Sequence, residues 1–205
     1  MPEVFEDARG ALLPSLHCLA GLDQSRLLAG HEKLDPITDS MFPFALTILV
    51  SVVHDSERAM QQVNAETMRR WGMTPAKLHA VAVDNLRHKA PPAFQQISAG
   101  LWRSPYGECY DAARIFLPEL AWQLGLAGQP VAMVPSRSGL LLAGEQDADA
   151  LLAMVSQARE ALATGSRPLA SEMLRWDGQQ WQPREPTQAA AAEALAQLQA
   201  EMQAG

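Results

Sequence analysis

Cysteine is scarce in this 205-residue sequence: Cys18 and Cys109 are the only two. Small domains held together by disulfides carry more, so both are read as reduced thiols in a reducing compartment. Positive charge is thinly spread as well. No stretch of five Lys/Arg occurs, and the formal net charge is −7. Long-range attraction to phosphate backbones or anionic lipid is thereby disfavoured, and neither nucleic acid nor a membrane is expected as a partner. The longest near-apolar run, residues 44–53, is ten residues long, whereas a membrane helix needs about 20. The opening residues, Met1-Pro2-Glu3-Val4-Phe5-Glu6-Asp7, are acidic where a signal peptide is basic. Together these absences predict a cytoplasmic protein. The sequence also has no phosphate-cradling glycine loop, no Gly-x-Ser-x-Gly elbow and no His-Glu-x-x-His stretch, and no cofactor is expected.

What is present is the composition of an ordinary globular protein, 48% hydrophobic and 19% charged, so general disorder is not expected. Residues 1–43 are broken by Pro14, Gly21, Gly30, Pro36 and Pro43 and read as a helical or irregular extension. Thr47, Ile48, Val50, Val52 and Val53 predict a buried strand over 46–53. A helix capped by Asp55 or Ser56 is expected to run to Trp71, with Met60, Val63, Thr67 and Trp71 inward and Gly72 ending it. Thr74-Pro75 starts a second helix, whose stripe Leu78, Val81, Ala82, Asn85 and Leu86 is the clearest helical pattern in the chain. Pro91-Pro92 breaks the chain. A strand is expected over 97–102 and a turn at Ser104-Pro105-Tyr106-Gly107. A helix from about Glu108 is kinked or restarted by Pro118.

Two apolar runs, 131–135 and 139–143, read as a β-hairpin around Pro135-Ser136-Arg137-Ser138-Gly139. A helix follows over 147–162. A second hairpin, strands 172–176 and 180–183, turns at Asp177-Gly178. Thr187 caps a final alanine-rich helix with Ala191, Leu195, Leu198 and Met202 on one side. The expected fold is therefore α+β, a mixed, largely antiparallel sheet with two hairpins and helices packed on it. The expected organisation is an extension over 1–43, an α+β domain over 44–186 and a C-terminal helix over 187–205.

Several segments resemble a known family. Ala82-Val83-Asp84-Asn85-Leu86, Cys109-Tyr110-Asp111-Ala112-Ala113-Arg114-Ile115 and Val131-Ala132-Met133-Val134-Pro135-Ser136-Arg137-Ser138 resemble three signatures of the YtpQ-like family of uncharacterised bacterial proteins, a domain of unknown function. Pro168-Leu169-Ala170-Ser171 and the hairpin end Trp181-Gln182-Pro183 extend the likeness, which covers roughly residues 45–186. Typical members carry a longer N-terminal portion. The family's hairpin loop often ends in aspartate where this chain has Ser138, and Ala113 stands where the family has serine. The resemblance implies a fold and brings no activity.

Candidate chemistry is sparse. Cys109, near the start of an expected helix, could be a nucleophile if the helix dipole lowered its pKa, with His54 as base. The alternative is an ordinary small residue. His79 and His88 fall on opposite sides of one expected helix and cannot share a metal, and His17 beside Cys18 is a lone pair of donors, so no metal site is expected. Asn85 on an apolar stripe is a ligand-binding amide or, more simply, a buried structural one. Asp111 and Arg114, three apart, can pair on one helix face. Arg137, in a loop with Ser136, offers a planar fork for carboxylate or phosphate. Trp71, Trp102, Trp122, Trp176 and Trp181 sit at stripe or strand positions that suit burial better than base stacking.

With no complete catalytic constellation, the expected function is a non-catalytic ligand-binding or protein-interaction module, binding through Asp111, Arg114, Ser136, Arg137 and Asn85. The rival is a small hydrolase-type enzyme with a site near Cys109, Asp111 and His54. A third reading is a structural partner that docks through its C-terminal helix. That helix's seam is too short for an independent coiled coil and must be covered by its own sheet or by a second copy, as in a homodimer.

Overall fold

The computed structural model describes residues 1–19, 40–89, 94–105, 107–165 and 168–204. Among these are six α-helices and two antiparallel sheets with helices packed on strands, an α+β architecture. The chain divides into two compact units, Met1–Pro91 and Pro92–Gly205. No described helix is long and apolar enough to cross a membrane.

In the first unit, β1 (Leu12–Cys18), β2 (Phe42–Pro43), β3 (Ile48–Asp55) and β4 (Met60–Gln62) form one sheet. The β-branched run expected as a strand is β3, which lies between β1 and β2 and also pairs with β4. The N-terminal stretch is not merely a helical or irregular extension. After α1 (Phe5–Ala8), β1 pairs along its whole length with β3, from Leu12↔His54 to Cys18↔Ile48. Pro14 hides this strand in the sequence. Among the described residues β1 has one neighbour in the sheet, β3, so the missing N–H of Pro14 need not serve a second ladder. Any helical pieces expected over 20–39 lie outside the described residues.

The long helix expected from Asp55 is also corrected. Ser56 closes a tight turn: its Oγ accepts the Ala59 N–H at 3.2 Å and donates to the Ala59 carbonyl at 2.9 Å. This returns the chain as β4, and α2 (Ala65–Trp71) starts only at Asn64, whose side chain accepts the Thr67 N–H at 2.9 Å. Gly72 ends α2 in the left-handed conformation, φ 64°. Helix α3 (Pro75–Lys89) begins as expected, with Thr74 Oγ1 accepting the Lys77 N–H. Leu78, Ala82 and Leu86 of its stripe are buried, and Leu78 and Ala82 join Ala8, Leu12, Val52, Val63 and Met68 in the core of this unit.

The second unit is built on a six-stranded sheet. Its members are β5 (Gln95–Ser98), β6 (Leu101–Arg103), β7 (Pro130–Ser136), β8 (Gly139–Gly144), β9 (Met173–Trp176) and β10 (Trp181–Pro183), in the order β10-β9-β7-β8-β6-β5. The single strand expected over 97–102 is a hairpin, β5–β6, because Gly100 (φ 69°) turns the chain. The β7–β8 loop is shorter than expected: Ser136 pairs with Gly139, leaving Arg137-Ser138 as the turn. The ladder slips between Met133 and Ser136, a bulge that accommodates Pro135 in an inner strand. The Asp177-Gly178 hairpin forms, with Asp177 Oδ1 accepting the N–H groups of Gln179 and Gln180 at 2.8 Å each.

Val131, Met133, Leu141, Ala143 and Met173 share a core with α5 (Ala148–Thr164) and α6 (Ala189–Ala204). The expected helix over 108–117 is instead a 3₁₀ turn, Ala112–Phe116, packed on β7 and β8. Pro118 then starts the short helix α4 (Glu119–Trp122). The seam of α6 is not peripheral: Ala191, Leu195 and Leu198 are buried against this unit's own core, while Met202 is exposed.

Candidate functional site

The elements of the second unit gather most of the singled-out residues at one place, the tip of the β7–β8 hairpin. The Ala112 N–H donates to the Arg137 carbonyl at 3.2 Å, and the Leu169 N–H donates to the Pro135 carbonyl at 2.9 Å. Ser136 forms an isolated bridge with Pro168. Trp181 Nε1 donates to the Ile115 carbonyl at 2.7 Å in a buried bond. The segments around Asp111, Ser136, Pro168 and Trp181 thus form one connected set.

Asp111 and Arg114 are the fastening of that set. Both are buried, and Arg114 Nη1 donates to Asp111 Oδ1 at 2.6 Å while Nη2 reaches Glu108 Oε2 at 3.0 Å. Asp111 Oδ2 also accepts the Glu108 N–H at 3.2 Å. Burial pushes the Asp111 carboxyl above the usual carboxylate range, opposed by the Ser104 hydroxyl, the Arg114 guanidinium and the Glu108 and Gly107 backbone. Stranding either partner of such a pair costs about 3–5 kcal/mol. The two residues expected as binding groups are therefore engaged with each other, with no face left toward solvent. Their pairing spans a 3₁₀ turn rather than the α-helix face expected.

Ser136 is different. Together with Ser138 and Gly139 at the hairpin tip it lines a cleft of about 260 Å³. The opposite wall is the second half of α5, with Gln157, Glu160, Ala161 and Thr164, and Pro135, Leu141 and Arg103 complete the lining. Arg103 pairs with Leu141 across β6–β8, which places both at the same level of the sheet. Pockets that take drug-sized ligands run to roughly 300–1,000 Å³, so this one is sized for a small metabolite. Arg137, half-buried in the turn, does not line it.

The remaining candidates lie elsewhere. Asn85 belongs to the first unit, where its Nδ2 donates to the carbonyls of Arg9 (2.6 Å) and Leu12 (2.9 Å). It is half-buried rather than buried, and it ties α3 to the start of β1. His54 is in β3, opposite Leu12 and Gln61, and buried. Cys109 is exposed in the second unit. The helix dipole invoked for it is lost, because the chain after it forms a 3₁₀ turn that begins only at Ala112. His17 Nε2 lies 2.8 Å from Ser51 Oγ, a buried pair within the first sheet. Among the described residues no group of three His, Cys, Asp or Glu is placed to hold a metal ion.

Reading the sequence missed Arg103, Gln157, Glu160 and Thr164. No local signal marks them: three are outward polar positions of an amphipathic helix and the fourth ends a three-residue strand. Only the register of β6 on β8 and the packing of α5 bring them together.

No family model matches the chain, and no curated protein and no solved structure matches it.

Proposed function

We propose that this protein is a non-catalytic binding module that takes a small molecule in the cleft between the β7–β8 hairpin tip and α5. The observation that carries the reading is the division of labour at the hairpin. Asp111, Arg114 and Glu108 hold the 3₁₀ segment in place, and that segment in turn holds the Arg137 carbonyl. Ser136, Ser138 and Gly139 are thereby presented, on a fixed frame, to a concave surface that carries both charged and apolar groups. Preorganised polar groups around a concavity are what small-ligand sites have in common. The hydrolytic alternative has less support: Asp111 is spent on Arg114, and Cys109 lacks the helix terminus that would activate it.

The test is a fragment screen on the full chain, by ligand-observed NMR, repeated on Ala161→Phe. Ala161 lies in the cleft wall, and a phenyl ring there fills the space without touching the Asp111–Arg114 pair. Fragments that bind the parent and lose binding to the variant support the site. Fragments that bind both equally, or none at all, refute it.

A further inference from the structure

The cleft lining carries opposite charges, Arg103 and Glu160, beside apolar groups. Arg103, at the end of β6, is among the residues that line the cleft, and its Nη2 donates to Gln95 Oε1 at 3.1 Å. A planar guanidinium is matched to a carboxylate, which it can bind with two parallel hydrogen bonds. On the other wall stands Glu160, one turn before the end of α5. The C-terminal end of a helix carries partial negative charge and favours a cation beside it. The last turn of α5 contains no basic residue to supply one. Arg159, the nearest cation on this helix, is directed to Glu201 at 3.0 Å and to the Ala194 carbonyl at 3.3 Å. The cleft lining thus holds one carboxylate, Glu160, and one guanidinium, Arg103. Leu141, Ser136 and Gln157 share the lining with them, one apolar group and two hydrogen-bonding ones.

We infer that the ligand of this cleft is a small zwitterion of the α-amino acid class, its carboxylate on Arg103, its ammonium toward Glu160 and the end of α5, and its apolar side chain over Leu141. This rests on the reading of the cleft as the binding site and adds the ligand's chemical class. A simple anion would leave Glu160 facing it across the cleft, and a simple cation would leave Arg103 unmatched, so each alone binds with one like charge opposed.

Titration calorimetry on the full chain tests this with three probes: leucine, N-acetyl-leucine, which lacks the cation, and leucinamide, which lacks the anion. Leucine is expected to bind, and each capped probe to bind about tenfold or more weakly, the loss of one charge-assisted contact. Arg103→Leu should erase the preference for leucine over leucinamide while keeping that over N-acetyl-leucine, and Glu160→Gln should do the reverse. Both residues are exposed, so thermal midpoints are expected to stay put. Equal affinity for all three probes, or variants that weaken all three alike, would overturn the assignment. If none of the three binds but Ala161→Phe abolishes binding of another fragment class, the zwitterion inference fails and the site stands. If nothing binds at the cleft, both fail.

Discussion

At the scale of single residues, the polar groups that drew attention in the sequence act mainly on the fold. Asn85 uses both N–H bonds of its amide to hold the carbonyls of Arg9 and Leu12. Asn85→Leu should therefore cost about 1–2 kcal/mol, the penalty for leaving partly buried carbonyls without donors, read as a lower urea midpoint at unchanged slope. His79, on α3, packs edge-on to Phe42 with ring centroids 5.0 Å apart. Burial lowers its pKa from the ordinary 6.5 to about 4. Above pH 6.5 the ring is neutral in both states. Between 6.5 and 4 the unfolded chain takes a proton that the native state resists, so this group's contribution to stability is lost as pH falls through that window. His79→Leu should flatten the decline: the parent loses more stability than the variant between pH 7 and pH 5 in paired urea titrations. An identical pH dependence in the two proteins would show that His79 does not titrate in this way. Ser136 differs from the other predicted site residues in lining the cleft, while its backbone pairs with Gly139 and bridges Pro168.

Elements show where the sequence was legible. Helix α3, the Asp177-Gly178 hairpin and the β7–β8 hairpin follow from local signals that agree with one another: a cap, a stripe, a turn dipeptide. Strand β1 was not legible, because Pro14, Ser15 and His17 break the apolar run that usually marks a strand; Ser15 and His17 are nonetheless buried, and His17 lies within hydrogen-bond distance of Ser51 on β3. The stripe read through Met60, Val63, Thr67 and Trp71 was a false continuity: Met60 belongs to β4, and the helix begins only after its cap at Asn64. For α6 the seam holds at Ala191, Leu195 and Leu198 but not at the exposed Met202, and what covers it could not be known without the tertiary packing. Ala191, Leu195 and Leu198 lie in one core with Leu151, Met154, Val155 and Ala158 of α5. Leu195→Ala should destabilise the protein by about 2–4 kcal/mol, as an unfilled cavity in a packed core does. Ending the chain at Pro186 should expose the α5 face and yield an aggregating or molten product in circular dichroism and sedimentation. A well-folded, soluble truncated chain would show that α6 is dispensable. The cleft was the least legible part, since its walls come from β6, the β7–β8 tip and α5, and no spacing in the sequence links Arg103 to Glu160.

For the whole molecule, two units each have their own sheet and core, and the proposed site lies entirely in the second, Pro92–Gly205. The net charge of −7 repels polyanions at long range, and a cleft lined by both Arg103 and Glu160 suits a ligand of no net charge. With no matching relative to lend it a function, the account rests on whether that cleft is used. Amide chemical-shift mapping of the full chain, titrated with leucine and with the fragments that bind, tests this most directly. The account predicts that the shifts concentrate at Arg103, Ser136–Leu141 and Gln157–Thr164. Shifts confined to the first unit, or scattered over the surface without saturation, would contradict it.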